Sequence, residues 1–160
     1  MKHRPVPNAW SAASAAEIIE AHDATDGPLL PILHDLQAAF GFVPQQAVPL
    51  VAAALNLSRA EVHGVVSFYH DFRSEPAGRT VVKLCRAEAC QARGGRAVEQ
   101  AAVAALCVPM GETTADGAVS LEAVYCLGLC ASGPAALVDG APVARLTPDA
   151  MVDLLREALP

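Results

Sequence analysis

Aromatic side chains are scarce in this sequence: one Trp, two Tyr and four Phe make up 4% of it, although 53% of the residues are hydrophobic. A core with so few large rings has to be filled by small aliphatic side chains, alanine above all, in closely packed helices. The same hydrophobic content argues against disorder as the general state. Basic residues are also few, 11 Lys and Arg against 17 Asp and Glu, and no stretch gathers them into a stripe. A net charge of -6 repels a phosphate backbone, so nucleic acid is a poor partner. Long apolar runs are missing. The run from Ala47 to Leu55 contains Pro49 and is far too short to cross a bilayer. Behind Lys2, His3 and Arg4, the stretch NAWSAASAAEII is broken by Asn8, Ser11, Ser14 and Glu17 and offers no secretory apolar core. A cytoplasmic chain with no direct membrane insertion is expected.

Five cysteines do occur. Without an export signal they are not a disulfide framework, because the cytosol keeps thiols reduced and an odd number cannot pair completely. The 160 residues leave room for one ordinary domain, or for a small helical unit joined to a compact second one.

The first half reads as helices. Ser14 and Glu17 have the spacing of an S-x-x-E capping box ahead of Ile18 and Ile19, which predicts a short helix near residues 14 to 22. Pro28 and Pro31 sit where a first turn tolerates them, and Leu29, Leu30, Ile32, Leu33, Leu36 and Phe40 recur at helical spacing until Gly41. A third helix is expected within 44 to 55. A second capping box, Ser58 and Glu61, precedes Val62, Val65 and Val66. The helix it opens is expected to end near Phe68, Tyr69 and Phe72, a cluster suited to packing this bundle onto the second half of the chain.

The sequence SEPAGR, residues 74 to 79, is a turn or linker, and a boundary near residue 76 divides domains 1-75 and 76-160. Beyond it TVVKLC is β-rich, 91 to 106 is helical, GAVSLEAVYC supplies strand material, and AALVDGAPVARL folds as two strands around Asp139-Gly140. Thr147 caps a last helix with Pro148 in its first turn. The order strand, helix, strand, strand, strand, helix suits a small sheet with helices against it, one example being the thioredoxin-like fold. The class is α+β.

Cys85 and Cys90 are separated by four residues, Cys126 and Cys130 by three, each pair at or beyond the end of a strand. Two loops at one end of a sheet would gather four thiolates, the donor set of tetrahedral zinc or of a 2Fe-2S cluster with two ligands per iron. Structural zinc favours C-x2-C knuckles, which neither pair matches, so iron-sulfur is the better reading and zinc the alternative. Gly94, Gly95, Gly128 and Gly133 lie nearby, where a missing side chain lets backbone N–H groups approach sulfur; each reads equally well as an ordinary turn glycine. There is no C-x-x-C dithiol and no His beside either pair for Rieske-type ligation. Cys107 ends a helical run as a small buried hydrophobe. His63 and His70 read as surface or packing residues, and Glu61, Asp71 and Glu88 are isolated carboxylates with nothing to pair them for acid-base work. No Ser-His-Asp grouping, phosphate loop or flavin fingerprint appears, so no catalytic residue is assigned.

GVVSFYHDF, CRAEACQARGG and VYCLGLCASGPAALVDG together resemble the thioredoxin-like 2Fe-2S subunits of the NADH-oxidising module of complex I, of NAD-linked hydrogenases and of NAD-dependent formate dehydrogenases. The resemblance runs over nearly the whole chain. It implies an N-terminal helical bundle followed by a thioredoxin-like 2Fe-2S ferredoxin domain, with Cys85, Cys90, Cys126 and Cys130 as the ligands of one cluster. The segment from Cys85 to Gln91 is most similar to the gamma subunit of molybdenum-dependent formate dehydrogenase. That likeness implies an accessory electron carrier, not catalytic alone, in a complex converting formate and NAD to CO2 and NADH. Its partners would be a flavin subunit binding FMN and NAD and a larger subunit with further iron-sulfur clusters and molybdopterin. The corresponding complex I or hydrogenase subunit is the alternative, and a zinc-stabilised, non-redox assembly module is the second. Phe68, Tyr69, Leu127 and Leu129 are candidates for the docking surface.

Overall fold

The computed structural model describes residues 8–158. Lys2, His3 and Arg4 lie outside the described residues. The chain divides into two compact units, which meet in sequence at Pro76 and Ala77.

The first unit is a bundle of four helices: α1 (Ala12–Glu20), α2 (Leu29–Phe40), α3 (Ala47–Ala54) and α4 (Arg59–Phe68). Ser11, not Ser14, caps α1: its extended backbone places Oγ to accept the Ser14 N–H at 3.3 Å. The helix therefore begins three residues, nearly a full turn, earlier than a cap at Ser14 would place it, and Ser14 lies within the helix. Gly41 ends α2 in the left-handed region (φ 82), with its N–H on the Gln37 carbonyl at 2.8 Å. The Ser58–Glu61 box opens α4 as expected. There the Ser58 N–H and hydroxyl hold the Glu61 carboxyl below its usual range.

Ile19, Ile32, Leu33, Leu36, Phe40, Val51 and Val62 form the bundle core, each contributing about 1.5–3 kcal/mol by its removal from water. Gln37 ties the segment after α4 to α2, donating to the Asp71 carbonyl and accepting the Arg73 N–H, both at 2.7 Å. Of the aromatic cluster, Phe72 belongs to this unit's own core, while Phe68 is 73% exposed and Tyr69 44%. The rings stack edge to face, Phe68 on Tyr69 and Tyr69 on Phe72.

The second unit is a four-stranded sheet in the order β2-β1-β3-β4, with β1 (Thr80–Cys85), β2 (Val119–Val124), β3 (Ala136–Val138) and β4 (Ala141–Val143). β1 runs parallel to β2 and antiparallel to β3, and β3 turns at Asp139-Gly140 into β4. The crossover from β1 to β2 passes through two helices, α5 (Glu88–Ala92) and α6 (Gly95–Leu106). The single helix expected over 91 to 106 is thus broken at Arg93-Gly94, where Gly94 takes φ 96. α7 (Pro148–Ala158) closes the chain, with the Thr147 hydroxyl accepting the Ala150 N–H.

Strand alternation sends Val82, Leu84, Val119, Leu121, Ala136 and Val138 to one face, where they share a core with Val98, Ala102 and Leu106 of α6 and Met151 and Leu155 of α7. Lys83 and Cys85 fall on the opposite face, with Lys83 Nζ 3.7 Å from Glu122. Cys107 is exposed, contrary to the buried role expected of it. Val98, Ala102 and Leu106 already fill the inward stripe of α6, so the next residue rotates outward; it ends the helix with φ 55. Among the described residues no helix is long and apolar enough to cross a membrane.

Candidate metal centre

β1 and β2 are in register to their last residues, Cys85 opposite Val124, and the Arg86 N–H continues the pairing onto the Val124 carbonyl at 2.8 Å. Parallel strands in register release their following loops at the same end of the sheet. The first loop carries Cys85 at the strand end and Cys90 within α5, both buried. The second carries Cys126, with φ 91, and Cys130 at the start of a 3-10 turn, Cys130–Ser132; both are exposed. All four are free thiols. His63 and His70 are exposed on and beyond α4, and Glu88 is exposed in α5.

The thiols are arranged as two pairs, an inner one and an outer one. Cys85 and Cys90 share a hydrogen bond, and the Cys126 and Cys130 sulfurs lie 3.9 Å apart. Burial alone would raise the Cys85 thiol, but the N–H groups of Ala87, Cys126 and Leu127, with the Cys90 thiol, hold it below its ordinary value. Burial pushes Cys90 up, helped by its bond to Cys85 and opposed by the Ala135 N–H. The bond to Cys126 and the charge there raise Cys130. Binding of a soft metal by these thiols would displace their protons, since it is the thiolates that ligate it. Among the described residues, no three His, Cys, Asp or Glu side chains converge on a point where one ion could sit.

The glycines divide by role. Gly128, at φ 74, donates its N–H to Cys126 Sγ at 3.4 Å, and so combines the two readings open to it, a turn glycine and an N–H donor to sulfur. Gly133 instead gives room: a Cβ there would lie 3.1 Å from Cys90 Sγ. A Cβ on Gly95 would lie 2.7 Å from the Cys90 carbonyl oxygen, and Gly94 serves the turn before α6. Sequence reasoning missed the N–H groups of Ala87 and Ala135 and the side chain of Arg93, whose Nε donates to the Gly133 carbonyl at 2.9 Å. The Gly-Pro step three residues after Cys130 was the one local sign of a fixed turn there.

The donor set suits a 2Fe-2S cluster: two thiol pairs, N–H groups already aimed at sulfur, and side-chain-free backbone beside Cys90. Residues 15–159 match the thioredoxin-like [2Fe-2S] ferredoxin family. The chain belongs to that family. Its cofactor is accordingly a 2Fe-2S cluster, and its fold the thioredoxin-like ferredoxin one. It is 32% identical over 141 residues to NADP-reducing hydrogenase subunit HndA of Solidesulfovibrio fructosivorans, covering 88% of this chain and 82% of that one. To a subunit of the NADH-quinone oxidoreductase of Escherichia coli (strain K12) it is 34% identical over 120 residues, 75% of this chain and 72% of that. The crystal structure of an NAD+-reducing [NiFe]-hydrogenase in the air-oxidized state superposes with a TM-score of 0.68 at 28% identity over 83% of this chain. This chain spans only 23% of that longer one. These relatives are subunits of oxidoreductases, and this family member is an accessory, electron-transferring subunit of the same kind.

Proposed function

We propose that Cys85, Cys90, Cys126 and Cys130 are the cluster ligands, the inner pair holding one iron and the outer pair the other. The observation that carries this is the pairing of the four thiols at one end of the sheet. It favours two irons with two thiolates each over a single tetrahedral zinc. A 2Fe-2S cluster takes up and passes on one electron at a time. The chain's part is to bury Cys85 and Cys90, to supply N–H donors that offset negative charge on sulfur, and to leave Cys126 and Cys130 at the surface. The exposed pair thus marks the side from which an electron passes to a partner. The division near residue 76 separates this cluster domain, 76-160, from a helical domain, 1-75.

We infer further that the parent complex is a cytoplasmic NAD-dependent formate dehydrogenase. The segment Cys85-Arg86-Ala87-Glu88-Ala89-Cys90-Gln91 supports this reading through its likeness to the gamma subunit of that enzyme. Formate oxidation and NAD reduction each move two electrons, so one-electron centres have to lie between them. An FMN- and NAD-binding subunit and a molybdopterin subunit with further clusters are the partners this requires. A second reading, as the corresponding subunit of a hydrogenase or NADH-quinone oxidoreductase, is favoured by the names of the relatives. Isolating the complex through a tag on this chain decides between them: molybdenum and formate-dependent NADH formation are expected, and a molybdenum-free complex overturns the formate reading.

A further inference from the structure

Four successive carbonyls lead from the Cys130 turn into β3, and each accepts a hydrogen bond. Three of the donors are backbone N–H groups: Arg145 to the Ser132 carbonyl at 2.7 Å, Leu146 to Pro134 at 3.0 Å and Cys85 to Ala135 at 3.0 Å. The fourth donor is a side chain, Arg93 Nε, on the Gly133 carbonyl at 2.9 Å between part-buried atoms.

Arg93 stands three residues after Cys90, and its own N–H donates to the Cys90 carbonyl at 3.2 Å. Gly133 in turn lies so close to Cys90 that a Cβ would come within 3.1 Å of the sulfur. Cys90, Arg93 and Gly133 therefore close a ring of contacts that joins the segment bearing Cys85 and Cys90 to the one bearing Cys130. A guanidinium suits this task, being planar, always charged and directional in its donors.

We propose that Arg93 is a positioning residue for the cluster: through the Gly133 carbonyl it fixes the outer cysteine loop against Cys90, and its charge favours the reduced cluster. The proposal rests on reading the four cysteines as ligands. Partners beyond the ligands orient them and tune a metal centre, and their loss costs about 10–100-fold in metal retention. Nearby charge and hydrogen bonding also set the reduction potential of an iron-sulfur centre.

The test compares the holo-protein with Arg93→Ala, Arg93→Lys and, as a control for deleting a neighbouring positive charge, Arg96→Ala, whose Nε bonds only the Gln91 side chain among the described residues. In Arg93→Ala, cluster loss to an iron chelator is expected to be about tenfold faster. Its reduced-state EPR signal should shift or broaden, its potential should fall, and amide exchange over residues 130–135 should quicken. Arg93→Lys should recover the potential more fully than the retention, and Arg96→Ala should match wild type. Wild-type EPR, retention and exchange in Arg93→Ala, or equal changes in Arg96→Ala, overturn the proposal. An iron-free wild-type protein would overturn the ligand reading instead, and amide exchange alone would then decide whether Arg93 fixes the loop.

Discussion

Cys85 and Val124 are register partners on the last rung of the parallel β1–β2 pair. Because both strands stop together, the loops carrying Cys85–Cys90 and Cys126–Cys130 start side by side, and the Cys126 and Leu127 N–H groups reach the Cys85 sulfur. The strand pairing thus makes one site of two distant stretches of sequence.

If the four thiols hold the cluster, Cys85→Ser and Cys126→Ser each delete one of its ligands and should leave no normal reduced-state EPR signal. Cys107→Ala should keep the full signal, since Cys107 is an exposed helix end remote in role from the pairs. A full signal in Cys126→Ser, or none in Cys107→Ala, would contradict the assignment.

Much of this was readable in advance where the signal is local. The strand TVVKLC is β1 residue for residue; Ser58–Glu61, Gly41 and Thr147 cap their helices as their residue types and spacing require. Misreadings arose where two local signals competed or where the answer was tertiary. Ser11 and Ser14 can each cap α1, and Ser11 wins by taking the extended backbone. The end of a hydrophobic helical run placed Cys107 inward, whereas its burial depends on which stripe of α6 the sheet and α7 cover. Arg93 had no sequence signature because its acceptor, Gly133, is forty residues away.

Steric room around Cys90 gives a second prediction. Alanine at Gly95 would put its Cβ 2.7 Å from a backbone carbonyl oxygen, which cannot rotate aside. Gly95→Ala should lose about 1–3 kcal/mol in denaturant titrations, the usual cost of overpacking. Gly133→Ala meets a sulfur at 3.1 Å, and its expected effect is quicker cluster release with a smaller loss of stability. Equal behaviour of Gly95→Ala and wild type would refute the tight contact.

In the helical unit Leu36 is fully buried among Ile32, Leu33 and Phe40. Leu36→Ala should cost about 2–5 kcal/mol, since it removes apolar contacts and leaves a cavity. Ser58→Ala, which removes the cap of α4 at its exposed end, should cost about 1 kcal/mol. Denaturation followed by far-UV circular dichroism measures both; a Ser58→Ala cost as large as that of Leu36→Ala would mean that the capping box holds more than its own helix.

The exposed outer pair leads to the last prediction. A carrier whose sequence shows no flavin or nucleotide fingerprint is expected to work beside a chain that has one, and electron tunnelling falls off steeply with distance. Cys126 and Cys130 are exposed, and Tyr125 beside them is 72% exposed. Leu127 and Leu129 are half-buried in the same loop, while Phe68 and Tyr69 offer exposed aromatic surface on the helical unit. Aromatic residues left in solvent are what an interface centre uses. Purified alone, the chain should carry its cluster yet oxidise neither NADH nor formate with artificial acceptors. Adding the flavin subunit should let NADH bleach the cluster's visible absorbance. Tyr125→Ser should slow that bleaching while leaving the EPR signal of the chemically reduced cluster intact, since the substitution alters the surface and not the ligands. Turnover of NADH or formate by the flavin-free chain would overturn the accessory-carrier reading, and bleaching at an unchanged rate in Tyr125→Ser would place the electron's exit elsewhere on the surface.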